Sequence, residues 1–365
     1  MAHRNPDLAV QPSAGDVLAA HLRGRATDFL RSLRLHREAG AGAGGTTAPA
    51  RAAAVHLRRS ARRIGGTLHT FRPLVDHDWS DELRIELAWL SGTLAREHAH
   101  GDRLERLLGA LARLSGEAAA PAAAPGAAAG RTVAGARRTT RTAGATVPPP
   151  ASAADPAKGL ALGAARAAAL LERQLTLART RAHSAGLDAF GSARFHALAD
   201  NVAVLASDVP LTPAARVPVD LLHPLAAEAE ARLLDAVRAL PLLTAGHPYN
   251  AQGLAAAPSP RAQDDPWHRV RQLLRLHRYA REVLARQDGA GHPAEDTRLL
   301  HAGEALDRHR DASEAAEAAA TAAGTPRIAP TTAYVLGVLH ADQRHEVEAA
   351  RYAFQRAWTR EVTGG

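Results

Sequence analysis

His268, Arg271, Arg275 and Arg278 stand at offsets 0, +3, +7 and +10 in the segment WHRVRQLLRLHRY. An α-helix turns about 100° per residue, so the four fall within an arc of about 80°. Val270, Leu273, Leu274 and Leu276 give the same turns an apolar side. Guanidinium groups held on one stripe repel one another unless an anion sits among them. Their planar forks match phosphate oxygens and do not deprotonate. His268 adds a short donor near neutral pH. Such a stripe is suited to holding an anion that carries several charges. A second copy lies upstream in AVHLRRSARRIGGTLHTF, where His56, Arg59 and Arg63 take offsets 0, +3 and +7.

Other basic residues can join these stripes. Arg58 and Arg62 neighbour the upstream set, and Arg72 follows Phe71 at its end. Arg194 lies in FGSARFHALAD, and Arg308 and His309 lie in ALDRHRDA. Converging on one groove, they would form an electropositive channel; taken singly, each would be a surface ion pair. Tyr279 either holds a neighbouring Arg, donates to phosphate or is a core aromatic. Both stripes also admit a plainer reading as solvated faces of amphipathic helices, and the duplicated offsets weigh against it.

The elements that must position these residues are helical. Ala, Leu, Arg and Glu dominate, aromatic residues are 4% of the chain, and long β-branched runs are absent. Helical spacing of apolar residues starts at Asp16 and breaks at Gly40–Gly45. It resumes over 49–73, 81–94 and 102–114. Residues 117–157 are rich in Ala, Pro, Gly and Thr and read as a flexible linker, with a local positive charge at Arg131, Arg137, Arg138 and Arg141. Further helices are expected over 160–183, 192–207, 218–240, 266–287, 294–322 and 331–358, with a loop over 241–265. The expected organisation is a tail at 1–14, a first helical half over 15–116, the linker, and a second half over 158–360. The fold class is all-α, with two pseudo-symmetric antiparallel bundles.

Charge and missing motifs narrow the function. The formal net charge is +8, and of 45 basic residues only Lys158 is a lysine. An acidic partner is expected: a polyanion, nucleic acid or an anionic surface. Without cysteine there are no disulfides, thiolate zinc sites or Cys nucleophiles. The N-terminus lacks a signal-peptide core and no apolar run reaches about 18 residues, so a cytoplasmic, non-membrane protein is expected. Asp76-His77-Asp78, His98 with His100, and His340 with His345 lack metal-ligand spacing. No Walker A loop, GxSxG or HExxH motif is present. Neither a metal, a cofactor nor catalysis is expected.

With these residues the chain resembles the CHAD family, the conserved histidine α-helical domain. The family's second-half pattern, H-x-x-R-K-x-x-K-R-x-R-Y, is met by His268, Arg271, Arg275, Arg278 and Tyr279, with Gln272 and Leu276 replacing two basic residues. In its first-half pattern, V-H-x-x-R-V-x-x-R-R-L-R, Val55, His56, Arg62 and Arg63 match, as does Phe71 beyond it. His56 sits one residue closer to the Arg pair, so Arg58 and Arg59 compete for the first Arg. Gly65 stands where a further Arg is usual. The resemblance implies two helical bundles and a basic cleft that binds inorganic polyphosphate without catalysis, with association to polyphosphate granules. A nucleic-acid-binding protein and a phosphohydrolase acting on polyphosphate are the alternatives.

Overall fold

The structure, a computed structural model, describes residues 12–40, 48–116, 156–246, 260–287 and 296–359. The expected break at Gly40–Gly45 lies outside these residues apart from Gly40, which ends a helix, and the expected linker over 117–157, with its four arginines, lies outside them apart from Pro156 and Ala157, which open one; most of the tail lies outside as well. Among the described residues the fold is all-α, with ten α-helices and no strand. They are α1 (Ala14–Gly40), α2 (Ala48–Thr70), α3 (His77–Leu114), α4 (Pro156–Gly191), α5 (Ala193–Ser207), α6 (Leu222–Arg238), α7 (Leu242–Ala245), α8 (Pro260–Gln287), α9 (Thr297–Ala323) and α10 (Pro330–Thr359).

Local chemistry explains several starts. Ser13 and Asp16 form a reciprocal cap on α1, with Ser13 N donating to Asp16 Oδ2 at 2.9 Å and Asp16 N to Ser13 Oγ at 3.1 Å. Asp76 accepts from Trp79 N at 2.9 Å, so the first carboxylate of the Asp-His-Asp cluster caps α3. Ser192 and Asp296 cap α5 and α9 in the same way.

Three boundaries differ from expectation. Residues 81–94 and 102–114 are parts of one helix that runs through Gly101. Leu87, Leu90 and Leu94 pack at one end, and Leu107 and Leu111 at the other, so two cores hold one rod across its polar middle. Helix α4 runs on past the expected 160–183 to Gly191, where Ala189 is buried and Phe190 packs against the first of those cores. Helix α8 starts at Pro260 with Pro266 inside it, where a loop to 265 was expected. Its first turns are fastened by side chains of α10, described below.

Three hydrophobic clusters hold the helices. One joins α1, α2, the front of α3 and α5 to Ala280 and Val283 of α8. A second gathers the ends of α6 and α10 around Trp267 and the front of α9. The third joins the back of α3 to α4, the back of α9 and the front of α10. Alanine is more than a helix former here. Ala302, Ala305, Ala312, Ala315, Ala316, Ala319 and Ala322 are buried along α9, and their small size lets neighbouring helices approach closely.

Beside Trp267 lies a buried charged network that no motif signals. Arg344 donates to Asp264 at 2.7 and 3.2 Å, and Arg351 donates to Asp264 at 2.7 Å and to Glu348 at 2.6 Å. Arg351 also donates to the carbonyl of Gln263, so α10 grips the opening turns of α8. Burial pushes the Asp264 carboxyl up, but hydrogen bonds from His309 and Arg344 outweigh it and hold it at about 2.

Two histidines are kept neutral by the fold. Burial, aided by Arg25, pushes His21 down to about 3. Burial pushes His309 down to about 4 against the pull of Asp264. The unfolded chain therefore binds more protons than the folded one as pH falls below about 6.5. Stability is full above that value and is lost as pH drops toward 4. Urea unfolding at steps between pH 7 and 4 should show a steadily falling midpoint, and a flat profile would contradict this reading.

Candidate functional site

A groove of about 840 Å³ opens between α2, α3 and α8. Helix α2 lines it with Ala61, Arg62, Gly65, Gly66 and His69, and α8 with His268, Arg271, Gln272, Arg275, Leu276 and Tyr279. The α3 wall carries Arg84 between apolar and small residues. Gly66 sets the closeness of the walls. A Cβ there would lie 2.5 Å from Tyr279 Cδ2 and 3.2 Å from Leu276 Cδ2. A Cβ at Gly65 meets nothing within 4 Å. Gly66→Ala should therefore cost about 1–3 kcal/mol through overpacking, while Gly65→Ala should gain up to about 1 kcal/mol of helix propensity. Denaturant midpoints of the two variants give the comparison, and equal shifts would refute the close approach.

The charge on the α2 side of this groove is poorly compensated. No described carboxylate lies within ion-pair distance of Arg62, and its Nε is buried without a hydrogen-bond partner. Burial lowers the Arg62 pKa, and Arg58 lowers it further. Arg58, one turn earlier, is lowered by burial and then by Arg310, Arg275 and Arg271. Arg271 is pushed down to about 10 by burial, with Arg275 and Arg310 adding repulsion. Burial also lowers Arg275, against the attraction of Asp307. Four guanidinium groups on two helices thus stand in each other's field in half-buried space. An anion placed among them would relieve that repulsion.

The structure separates the remaining candidate residues from this set. His56, Arg59 and Arg63 line a different hollow, between α1 and α2, and Arg63 pairs with Glu282 at 3.0 Å. Arg72 pairs with Asp81 at 2.9 Å at the groove's edge, where Arg84 shares the same carboxylate at 2.7 Å. Arg194 pairs with Glu86 at 2.6 Å and stacks over Trp89. Arg278 is exposed and lies against α9 near Gly303. Arg308 is exposed on α9, outside the groove's lining. His309 is 1% exposed and stacked on Trp267, with its Nε2 3.5 Å from Asp264 Oδ1. It is a core residue and not a groove donor.

The model of the CHAD domain matches residues 24–320. The chain belongs to the CHAD family. Among solved structures, PptA from Streptomyces chartreusis is 55% identical, with a TM-score of 0.72, over 95% of this chain and all of that one. No curated protein matches the chain. Each of the two arginine doublets of α2 spans two faces of the helix. Arg58, Arg62, Gly65 and His69 share one face of α2, turned by about 120° from the His56, Arg59 and Arg63 face. The doublets Arg58–Arg59 and Arg62–Arg63 put an arginine pair on each face, and sequence offsets anchored on His56 chose the outer one. Arg84 and His69 were missed altogether. Their only sequence signal is basic character on helices whose partners are unknown before folding.

Among the described residues no helix is long and apolar enough to cross a membrane.

Proposed function

We propose that this CHAD chain binds inorganic polyphosphate in the α2–α3–α8 groove and does not hydrolyse it. Arg58, Arg62, Arg271 and Arg275 are the phosphate-binding residues in this reading, with His268, Tyr279, Arg84 and His69 along the same groove. The observation that carries it is Arg62, a half-buried cation without a carboxylate partner, facing Arg271 and Arg275. A linear anion with a charge on every repeat can meet these groups in sequence, as guanidinium forks accept phosphate oxygens pairwise. Family membership supports the same ligand class. Burial keeps His268 below its usual pKa, so it enters this reading as a neutral donor.

Binding without hydrolysis is favoured by how the described acids are engaged. Asp81 is shared by Arg72 and Arg84, and Asp307 is paired with both Arg271 and Arg275, so no free acidic pair is left there to hold the metal ions of phosphoryl transfer. The test is a titration of the full chain with long-chain polyphosphate, and with double-stranded DNA at equal charge concentration, across a salt series. Binding should weaken with salt as counterions are released, and polyphosphate should bind at least about tenfold tighter than DNA, a difference of about 1.4 kcal/mol. Equal affinity would overturn the assignment in favour of a general polyanion or nucleic-acid binder. Shortening of polyphosphate in the presence of Mg²⁺ or Mn²⁺ would overturn the non-catalytic part.

A further inference from the structure

The two walls of the groove are not charged alike. On the α2 wall Arg62 is open. On the α8 wall one carboxylate covers both guanidinium groups. Asp307 Oδ1, from α9, accepts from Arg271 Nε at 2.5 Å and from Arg275 Nη2 at 3.0 Å. The arginines are the enclosed partners and the acid is the exposed one: Arg271 is 13% exposed and Arg275 28%, while Asp307 is 50% exposed. A fork binds a phosphate pairwise through its Nε–H and one Nη–H. Asp307 already holds the Nε–H of Arg271. A phosphate cannot take that edge while the carboxylate stays there.

The exposure pattern says which group moves. Arg271 and Arg275 are packed into the groove, whereas Asp307 can swing into water without being desolvated further. Of the other acids on α9, Asp311 pairs with Arg310 and Glu314 with Arg103 at 2.6 Å. Among the described carboxylates, Asp307 is the one paired with Arg271 and Arg275, and so it stands in for the ligand.

We infer that Asp307 is a built-in competing anion that a phosphate ligand displaces from Arg271 and Arg275, so that it sets the groove's affinity. In the empty groove it keeps two repelling guanidinium groups aligned. In the occupied groove it is expelled, and ligand binding is weakened by the ion pairs that are given up. A short phosphate, with few contacts elsewhere, depends on this exchange more than a long chain anchored at Arg62 as well.

This inference rests on the polyphosphate reading and is tested separately from it. Asp307→Asn keeps the shape and removes the charge, and Asp307→Ala removes the acceptor as well. Binding of tripolyphosphate and of long-chain polyphosphate is measured for both variants and the parent at several salt concentrations. Both variants should bind tripolyphosphate about fivefold tighter, equivalent to about 1 kcal/mol. The dependence of log K on log salt should steepen by nearly one, because one more cation is free to shed its counterion. A merely structural role would not steepen that slope. If the parent binds polyphosphate and both variants bind equally or more weakly, the competing role of Asp307 is overturned while the ligand assignment stands. If the parent binds neither ligand, the ligand assignment fails and this inference with it.

Discussion

Replacing Arg62, Arg271 and Arg275 together with alanine should abolish measurable polyphosphate binding. Each is proposed to make a charge-assisted contact, worth about 1.5–3 kcal/mol. Three contacts amount to at least about 4 kcal/mol, or a loss of about a thousandfold in affinity. The same variant should be no less stable than the parent in ligand-free buffer. Burial and mutual repulsion already disfavour these cations, and the Asp307 left behind is half exposed. Loss of binding with an unchanged or raised unfolding midpoint is thus the expected pair of results. Arg59→Ala, on the outer face of α2, is the contrast and should change affinity by less than about threefold, the scale of an exposed charge. Normal binding by the triple variant would sink the groove as the site. A strong effect of Arg59→Ala would return the site to the His56 face.

The opposite pattern is expected at Asp264. Asp264→Ala should destabilise the fold by about 3–5 kcal/mol, the cost of breaking a buried ion pair from one side. Its removal strands Arg344, which is 6% exposed, and leaves Arg351 with only Glu348 as a buried acid. It also frees the opening turns of α8, which include Pro266 and lead into Trp267 and His268. Urea unfolding monitored by helical signal measures the change. A shift below about 0.5 kcal/mol would show that the network does not anchor α8. Because His268 follows directly, the variant should also weaken polyphosphate binding, but less than the triple arginine variant does.

These two outcomes separate cations held for a ligand from cations held for the fold, which a sequence presents alike. Arg271 and Arg351 are both arginines on amphipathic helices. One lines an open groove and the other lies between Asp264 and Glu348. His268 and His309 are likewise both followed by an arginine in the chain, yet one lines the groove and the other is sealed near Trp267. Nothing in local spacing distinguishes the members of either pair.

Sequence by itself determined the helical class, the net positive charge, the family motif on α8 and the stripe of His268, Arg271 and Arg275, whose fourth expected member, Arg278, lies outside the groove lining. Periodicity is a local property, and a stripe of four residues on an apolar-backed helix has only one side free of core. It did not determine which of the two arginine faces of α2 meets that stripe, because Arg58–Arg59 and Arg62–Arg63 satisfy both. Packing made that choice. Gly66 admits the Tyr279 ring at a distance where any side chain would clash, and this contact leaves Arg62 lining the groove and His56 and Arg59 lining the hollow against α1. The tertiary structure alone also brought Asp307 to the α8 cations and Asp264 to the arginines of α10, since the partner of a charge is fixed by which helices touch.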